Sequence, residues 1–169
     1  MTQSTRHSAA SLQDFGRALL LAAGMPADKA EAVADILVEG DLQGHTTHGL
    51  AQLPCYLKEI ESGSMRVEGG PEVVNDAPAA LTWDGRRLPG PWLVLQAMAT
   101  AAERARRLGT GTVVIRRSHH IASLASYHAR AAREGLVLLL ACSDPNNAIV
   151  APYGGLDPVF TPNPISAGW

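Results

Sequence analysis

Apolar positions recur at helical spacing through the first third of the chain. Leu12, Phe15, Leu19 and Ala22/Ala23 make one stripe over residues 11–23, with Ser11 placed as the N-cap and Gly24 as the stop. Ala30, Val33 and Leu37 make a second stripe, in a helix whose first turn accepts Pro26 because no N–H is required there. A third helical pattern runs from Asp41 to Glu61 and closes at Ser62-Gly63. Pro54 lies inside it and predicts a break near residue 53, so His45 and His48 fall in an early turn or in the loop that enters it.

Beyond residue 64 the texture changes. "RVEGGPEVVNDAPAALTWDGRRLPG" sets Gly and Pro around short β-prone pieces, of which Ala80–Trp83 is the clearest, followed by an Asp84-Gly85 turn. Helical spacing returns from Trp92 to Arg107, with Val94, Leu95, Met98 and Ala102 inward and Gly109 as the close. Arg104, Arg106 and Arg107 sit where cations complement the helix dipole. "TVVIR" (112–116) and "LVLLLACS" (136–143) read as buried-type strands separated by a helix from Ala122 to Glu134. The order predicts an α/β protein: a helical lobe over residues 1–70, then an α/β lobe over 71–169, with the boundary inside 64–78. The last stretch, "APYGGLDPVFTPNPISAGW", lacks a finishing element and reads as an interrupted lobe.

Composition narrows the classes of function. With 14 basic and 16 acidic residues the net charge is -2, which argues against an electrostatic nucleic-acid or membrane binder. No apolar run approaches the roughly 18 residues that span a bilayer, and the N-terminus lacks the apolar stretch of a signal peptide. A cytoplasmic location is expected. Cys55 and Cys142 sit among apolar neighbours and are expected to be buried thiols rather than a disulfide framework.

The candidate chemistry lies in the histidines of "HTTH" (45–48) and "SHH" (118–120). A zinc site needs three or four ligands, and neither His45 with His48 nor Asp41 one turn earlier completes a set, so no metal is expected. Gly109 and Gly111 precede a strand instead of opening a helix, so they are not a dinucleotide fingerprint. Ser118 beside His119 lacks a nucleophile elbow. General acid–base chemistry suits an imidazole that titrates near neutrality, and His48 and His120 are the candidates. Each is also readable as a hydrogen-bonded structural histidine.

"DLQGHTTHGLAQLPCY" (41–56) resembles the D-x-x-G-x-x-S-H-G-x-x-R-x-P-x-Y segment of the malate/L-lactate dehydrogenase family, non-Rossmann nicotinamide enzymes that include ureidoglycolate dehydrogenase and cyclic imino acid reductases. Trp83-Asp84-Gly85 with Gly90, "SHHIAS" from Ser118, Pro152-Tyr153-Gly154-Gly155 and Asn163-Pro164-Ile165 follow in the family's order. The resemblance implies a homodimeric cytoplasmic oxidoreductase using NAD or NADP on a small 2-hydroxy/2-oxo acid or cyclic imino acid. It implies His48 as proton donor or acceptor oriented by Thr47, with His120 as a second catalytic candidate. Gln52 and Tyr56 would face the substrate. His120, Ile121, Ala122, Ser123, Leu124, Ser143 and Asp144 would face the cofactor. The α/β lobe would then be part of a non-Rossmann cofactor-binding fold.

Three departures stand out. Thr47 replaces a serine and keeps its hydroxyl. Gln52 replaces an arginine that grips the substrate carboxylate, and an amide lacks that charge. Pro162 interrupts the family's G-T-N-P, removing a backbone donor. Family chains also continue well past Asn163-Pro164-Ile165, which leaves a second expectation: a truncated, inactive relative serving as a dimerising or structural module.

Overall fold

Ser8, not Ser11, opens the first helix. In the computed structural model, which describes residues 6–144 and 148–169, the Ser8 side chain accepts the Ser11 N–H and α1 spans Ala9–Ala22. Both serines are good caps; the one further upstream wins because the helix gains another hydrogen-bonded turn. Gly24 takes the left-handed φ of 89° that ends the element. The second helix, α2 (Ala27–Leu42), begins directly after Pro26. Its Ala30, Val33, Ile36 and Leu37 are all fully buried. Each of the larger three contributes about 1.5–3 kcal/mol by leaving water.

α2 is the central element of the first compact unit, which ends at Tyr127. It packs on α1, on α4 (Gly90–Leu108) and on the short 3-10 turns that follow it. At Gly16 a methyl would sit 3.3 Å from Leu50 and 3.4 Å from Ala34, so the absence of a side chain lets α1 lie close. Buried Lys29 reaches 4.4 Å from the centre of the Trp92 ring, tying α2 to α4 through a cation–π contact.

The expected third helix is divided. After α2 come 3-10 turns at Thr46–His48 and Leu50–Gln52, then α3 (Leu53–Glu61). Pro54 sits in the first turn of α3, so it starts a helix instead of kinking one.

A three-stranded sheet follows, ordered β1 (Glu72–Ala77), β2 (Ala80–Asp84), β3 (Thr112–Arg116). β1 and β2 form an antiparallel hairpin, while β2 and β3 run parallel and are joined by α4 (Gly90–Leu108). Leu81, Trp83 and Ala97 make the core between sheet and helix, with Val113 and Ile115 against them. Leu93 and Ala97 are buried on α4, whereas Leu95 and Met98 are half-buried. Arg104 does more than complement the dipole: it donates to the Ala77 and Pro78 carbonyls and pairs with Asp76 at 2.7 Å, clamping the hairpin.

Residues 122–127 do not continue a helix. Ala122 has φ 59°, and the Tyr127 hydroxyl donates to the Ile121 carbonyl at 2.6 Å, so the segment folds as a turn capped by a 3-10 stretch, Leu124–Tyr127. The second compact unit, His128–Trp169, holds α5 (His128–Arg133) and the antiparallel pair β4 (Leu138–Ala141) and β5 (Ile165–Gly168). In that unit Leu139, Ile165 and Trp169 are exposed.

One carboxylate organises the end of the sheet. Asp84, 1% exposed, accepts from the Arg86 N–H at 2.9 Å, from Arg117 Nε at 2.9 Å and Nη2 at 2.5 Å, and from Arg116 Nε at 3.0 Å. The Arg117 hydrogen bond, helped by the Arg86 amide, outweighs burial and lowers its pKa to about 2. An unfolded Asp titrates near ~3.9, so the group stabilises the fold above that pH. That contribution is lost as pH falls from about 4 towards 2. In denaturant melts, Asp84→Asn is expected to be less stable than the parent at pH 7 and to lose less stability across that window; parallel pH profiles would refute the role. Gly90→Ala is a second test. A methyl there would overlap the carbonyls of His119 and His120. Overlap with backbone should cost about 1–3 kcal/mol of stability in thermal melts.

Candidate active site

The "HTTH" segment is shaped by small residues and one acid. Asp41, in the last turn of α2, accepts the Leu50 N–H at 2.9 Å. Gly49 lies against that carboxylate so closely that any Cβ would collide with it, and at Gly40 a Cβ would approach the His48 carbonyl at 3.2 Å. Together they hold the turn that presents Thr47 and His48 to solvent. The Thr47 hydroxyl is 2.9 Å from His48 Nδ1. Gln52 donates its amide to the Thr47 carbonyl at 2.6 Å, so its N–H is directed at the chain's own backbone. Exposed Cys55 is a departure from the buried thiol expected: helix α3 turns Tyr56 inward, and the preceding position therefore faces out.

Tyr56, 1% exposed, supports the second imidazole from below. Its hydroxyl donates to the His120 carbonyl at 3.0 Å and also lies 3.0 Å from His120 Nδ1. A phenol has one proton, so with the carbonyl as acceptor the ring nitrogen must be the donor. The Ala122 N–H also points at Nδ1, but at 3.4 Å, and the shorter contact favours a protonated Nδ1. The basic lone pair of the neutral ring is then on Nε2. Burial, reinforced by the charges of Glu59 and Cys55, holds the Tyr56 phenol well above the usual tyrosine range, which keeps it a neutral donor. The His48 and His120 rings lie 5.5 Å apart between centroids, tilted by 31°.

His119 points elsewhere. Its Nε2 donates to the Ser64 carbonyl at 2.9 Å, and Nδ1 is 3.0 Å from Glu59 Oε2, within ion-pair distance though off the line of a hydrogen bond. It anchors the turn on which His120 is presented. Glu59, Ser64 and Gly90 escaped the sequence reading in this role. Only Gly90 carried a signal, as a glycine where a helix begins against another backbone.

Five residues expected at the site (Thr47, His48, Gln52, Tyr56 and His120) come together in the first unit. Of the loop after His120, Ile121 and Leu124 are half-buried, while Ala122 and Ser123 are buried at 2% and 6% exposure. The side chains of Ile121 and Leu124 are therefore partly open to a bound group, whereas those of Ala122 and Ser123 are largely closed off. Ser143, exposed, and Asp144, half-buried, follow β4 in the second unit. Among the described residues, no three His, Cys, Asp or Glu converge as a metal site, and no helix is long and apolar enough to cross a membrane.

Residues 7–169 match the family model of malate/L-lactate dehydrogenase. L-lactate dehydrogenase of Cupriavidus necator is 36% identical over 159 residues, 94% of this chain and 46% of its own length. Hydroxycarboxylate dehydrogenase B of Escherichia coli K12 is 32% identical over 165 residues, 98% of this chain and 46% of its own. The solved structure of malate dehydrogenase from Pyrococcus horikoshii OT3 superposes with a TM-score of 0.89 at 31% identity, covering 96% of this chain and 46% of that one. The chain spans just under half the length of the curated relatives it matches. From the Asp41–Tyr56 segment through the His120 turn, motif, fold and family model agree: the chain belongs to the malate/L-lactate dehydrogenase family.

Proposed function

We propose that this chain is the N-terminal part of an NAD(P)-dependent oxidoreductase acting on a small 2-hydroxy/2-oxo acid. The observation that carries the reading is the pairing of two imidazoles, each with a hydroxyl on Nδ1, at 5.5 Å between rings. The relatives' names (lactate, malate, hydroxycarboxylate) share a hydroxyl beside a carboxylate. Reduction of cyclic imino acids belongs to the same proposal as a wider substrate range, as do a homodimeric assembly and a cytoplasmic location.

A nicotinamide, when bound, supplies or accepts the hydride. His48 moves the accompanying proton: Nε2 takes it from the substrate hydroxyl during oxidation and returns it to the carbonyl oxygen during reduction. Thr47 serves both states, because Nδ1 keeps its proton throughout and the Thr47 hydroxyl oxygen accepts from it. His120, with its proton held on Nδ1 by Tyr56 and its ring 5.5 Å from that of His48, is the second candidate base. Gln52 holds the Thr47 carbonyl and brings no positive charge to a carboxylate.

A fluorescence titration of the chain with NADH and NADPH, against His120→Ala, tests the cofactor half of the reading. Saturable binding weakened by the substitution supports it; no binding at millimolar cofactor removes cofactor binding from this chain. In steady-state assays of the active protein, His48→Gln should lower kcat by about 10²–10⁴-fold while leaving cofactor affinity intact. Thr47→Ser should keep most of the rate and Thr47→Val should not, and equal rates would remove Thr47 as orienter. Gln52→Arg should lower KM for 2-oxo acids by the equivalent of about 2 kcal/mol, the scale of one charge-assisted contact. An unchanged KM would place the carboxylate elsewhere.

A further inference from the structure

The turn that leaves β2 is built from residues that its backbone does not favour. Leu88 N–H bonds the Gly85 carbonyl at 2.9 Å, closing a four-residue turn whose central residues, Arg86 and Arg87, have φ of 52° and 62°. Two successive positive φ angles are the mark of a type I′ turn, where Asn-Gly is strongly preferred and arginine is not. Arg117, on the adjoining strand exit, is left-handed as well, at φ 54°. Three arginines therefore occupy conformations that cost free energy at a non-glycine residue, a pattern that points from strain to function.

The backbone holds these side chains in one place. The Arg87 N–H bonds the Arg117 carbonyl at 2.8 Å, and the Arg66 N–H bonds the Arg87 carbonyl at 2.9 Å. Arg66, Arg86, Arg87 and Arg117 line a hollow of about 240 Å³, and all four are exposed. Asp84 below offsets part of the charge through Arg116 and Arg117, and Glu72 also acts on Arg117. Among the described residues, the guanidinium groups of Arg66, Arg86 and Arg87 have no side-chain partner. A chain of net charge -2 thus gathers a concentrated positive site. Guanidinium forks match the oxygens of phosphate in paired, charge-assisted hydrogen bonds.

We propose that Arg66, Arg86, Arg87 and Arg117 bind a phosphoryl dianion. The anion site itself is independent of the dehydrogenase reading, since it involves a different set of residues and is measured without turnover; only its placing on a coenzyme ribose rests on that reading. The phosphoryl group could be carried by a free phosphorylated metabolite or by the ribose of a phosphorylated dinucleotide; the chemistry recognised is the same.

Calorimetric titration with inorganic pyrophosphate at low salt tests it, comparing the parent chain with an Arg86→Asn/Arg87→Gly double variant. That variant installs the residues a type I′ turn prefers, so the fold is kept while two charges are removed. Saturable binding is expected, with affinity at least about tenfold weaker in the variant and weakened by added salt. Competition by NADPH but not NADH assigns the phosphoryl group to the coenzyme ribose; competition by neither assigns a separate phosphorylated ligand. Equal affinity in parent and variant, or no saturation by about 10 mM pyrophosphate, would overturn the proposal.

Discussion

The hydroxyl of Tyr56 is the contact on which the site depends. It is buried, it keeps its proton, and it joins α3 to both the ring and the carbonyl of His120. Without it the part-buried His120 carbonyl would lose this donor, and the buried phenol would lose its acceptor, a loss that costs more than the bond itself contributes. The same turn is secured from a second side by His119 on Ser64 and Glu59, and from a third by the bare backbone of Gly90. One exposed imidazole is thus presented by supports that are largely buried.

Much of the fold could be read along the chain because its signals are local. The bounds of α1 and α2, the Gly109 stop of α4 and the "TVVIR" strand depend on periodicity and on single stop residues, and the structure has them within a few residues, although in α1 Gly16 and Leu20 are buried and Phe15 of the expected stripe is exposed. The misplaced features depended on competition between neighbours. Ser8 and Ser11 both make caps. Pro54 both breaks and begins helices. The apolar run from Ala122 could continue as a helix, but a left-handed Ala122 and the Tyr127 hydroxyl commit it to a turn. No periodicity records a hydrogen bond from a side chain six positions further on.

The site was legible as a list and not as a geometry. His48, Thr47, Gln52, Tyr56 and His120 carry motif signals that place them in the family. That Gln52 faces Thr47, that Tyr56 lies behind His120 and that His119 turns away are facts of three dimensions. The exchange of arginine for Gln52 gains meaning from this geometry. Where the family motif has a charge, this chain has an amide whose N–H stitches the Thr46–His48 turn to α3.

The Tyr56–His120 bond also joins residues 64 apart in sequence. Between them lie the β1–β2 hairpin and the whole β2–α4–β3 crossover. Closing so long a loop costs chain entropy that is recovered only when the contacts at its ends are complete. Helices α1 and α2, by contrast, meet through a short connection. Chain connectivity thus favours an order of events in which the helical pair forms early and the two imidazoles meet late. A partly folded chain would hold its first helical pair while the rings were still apart.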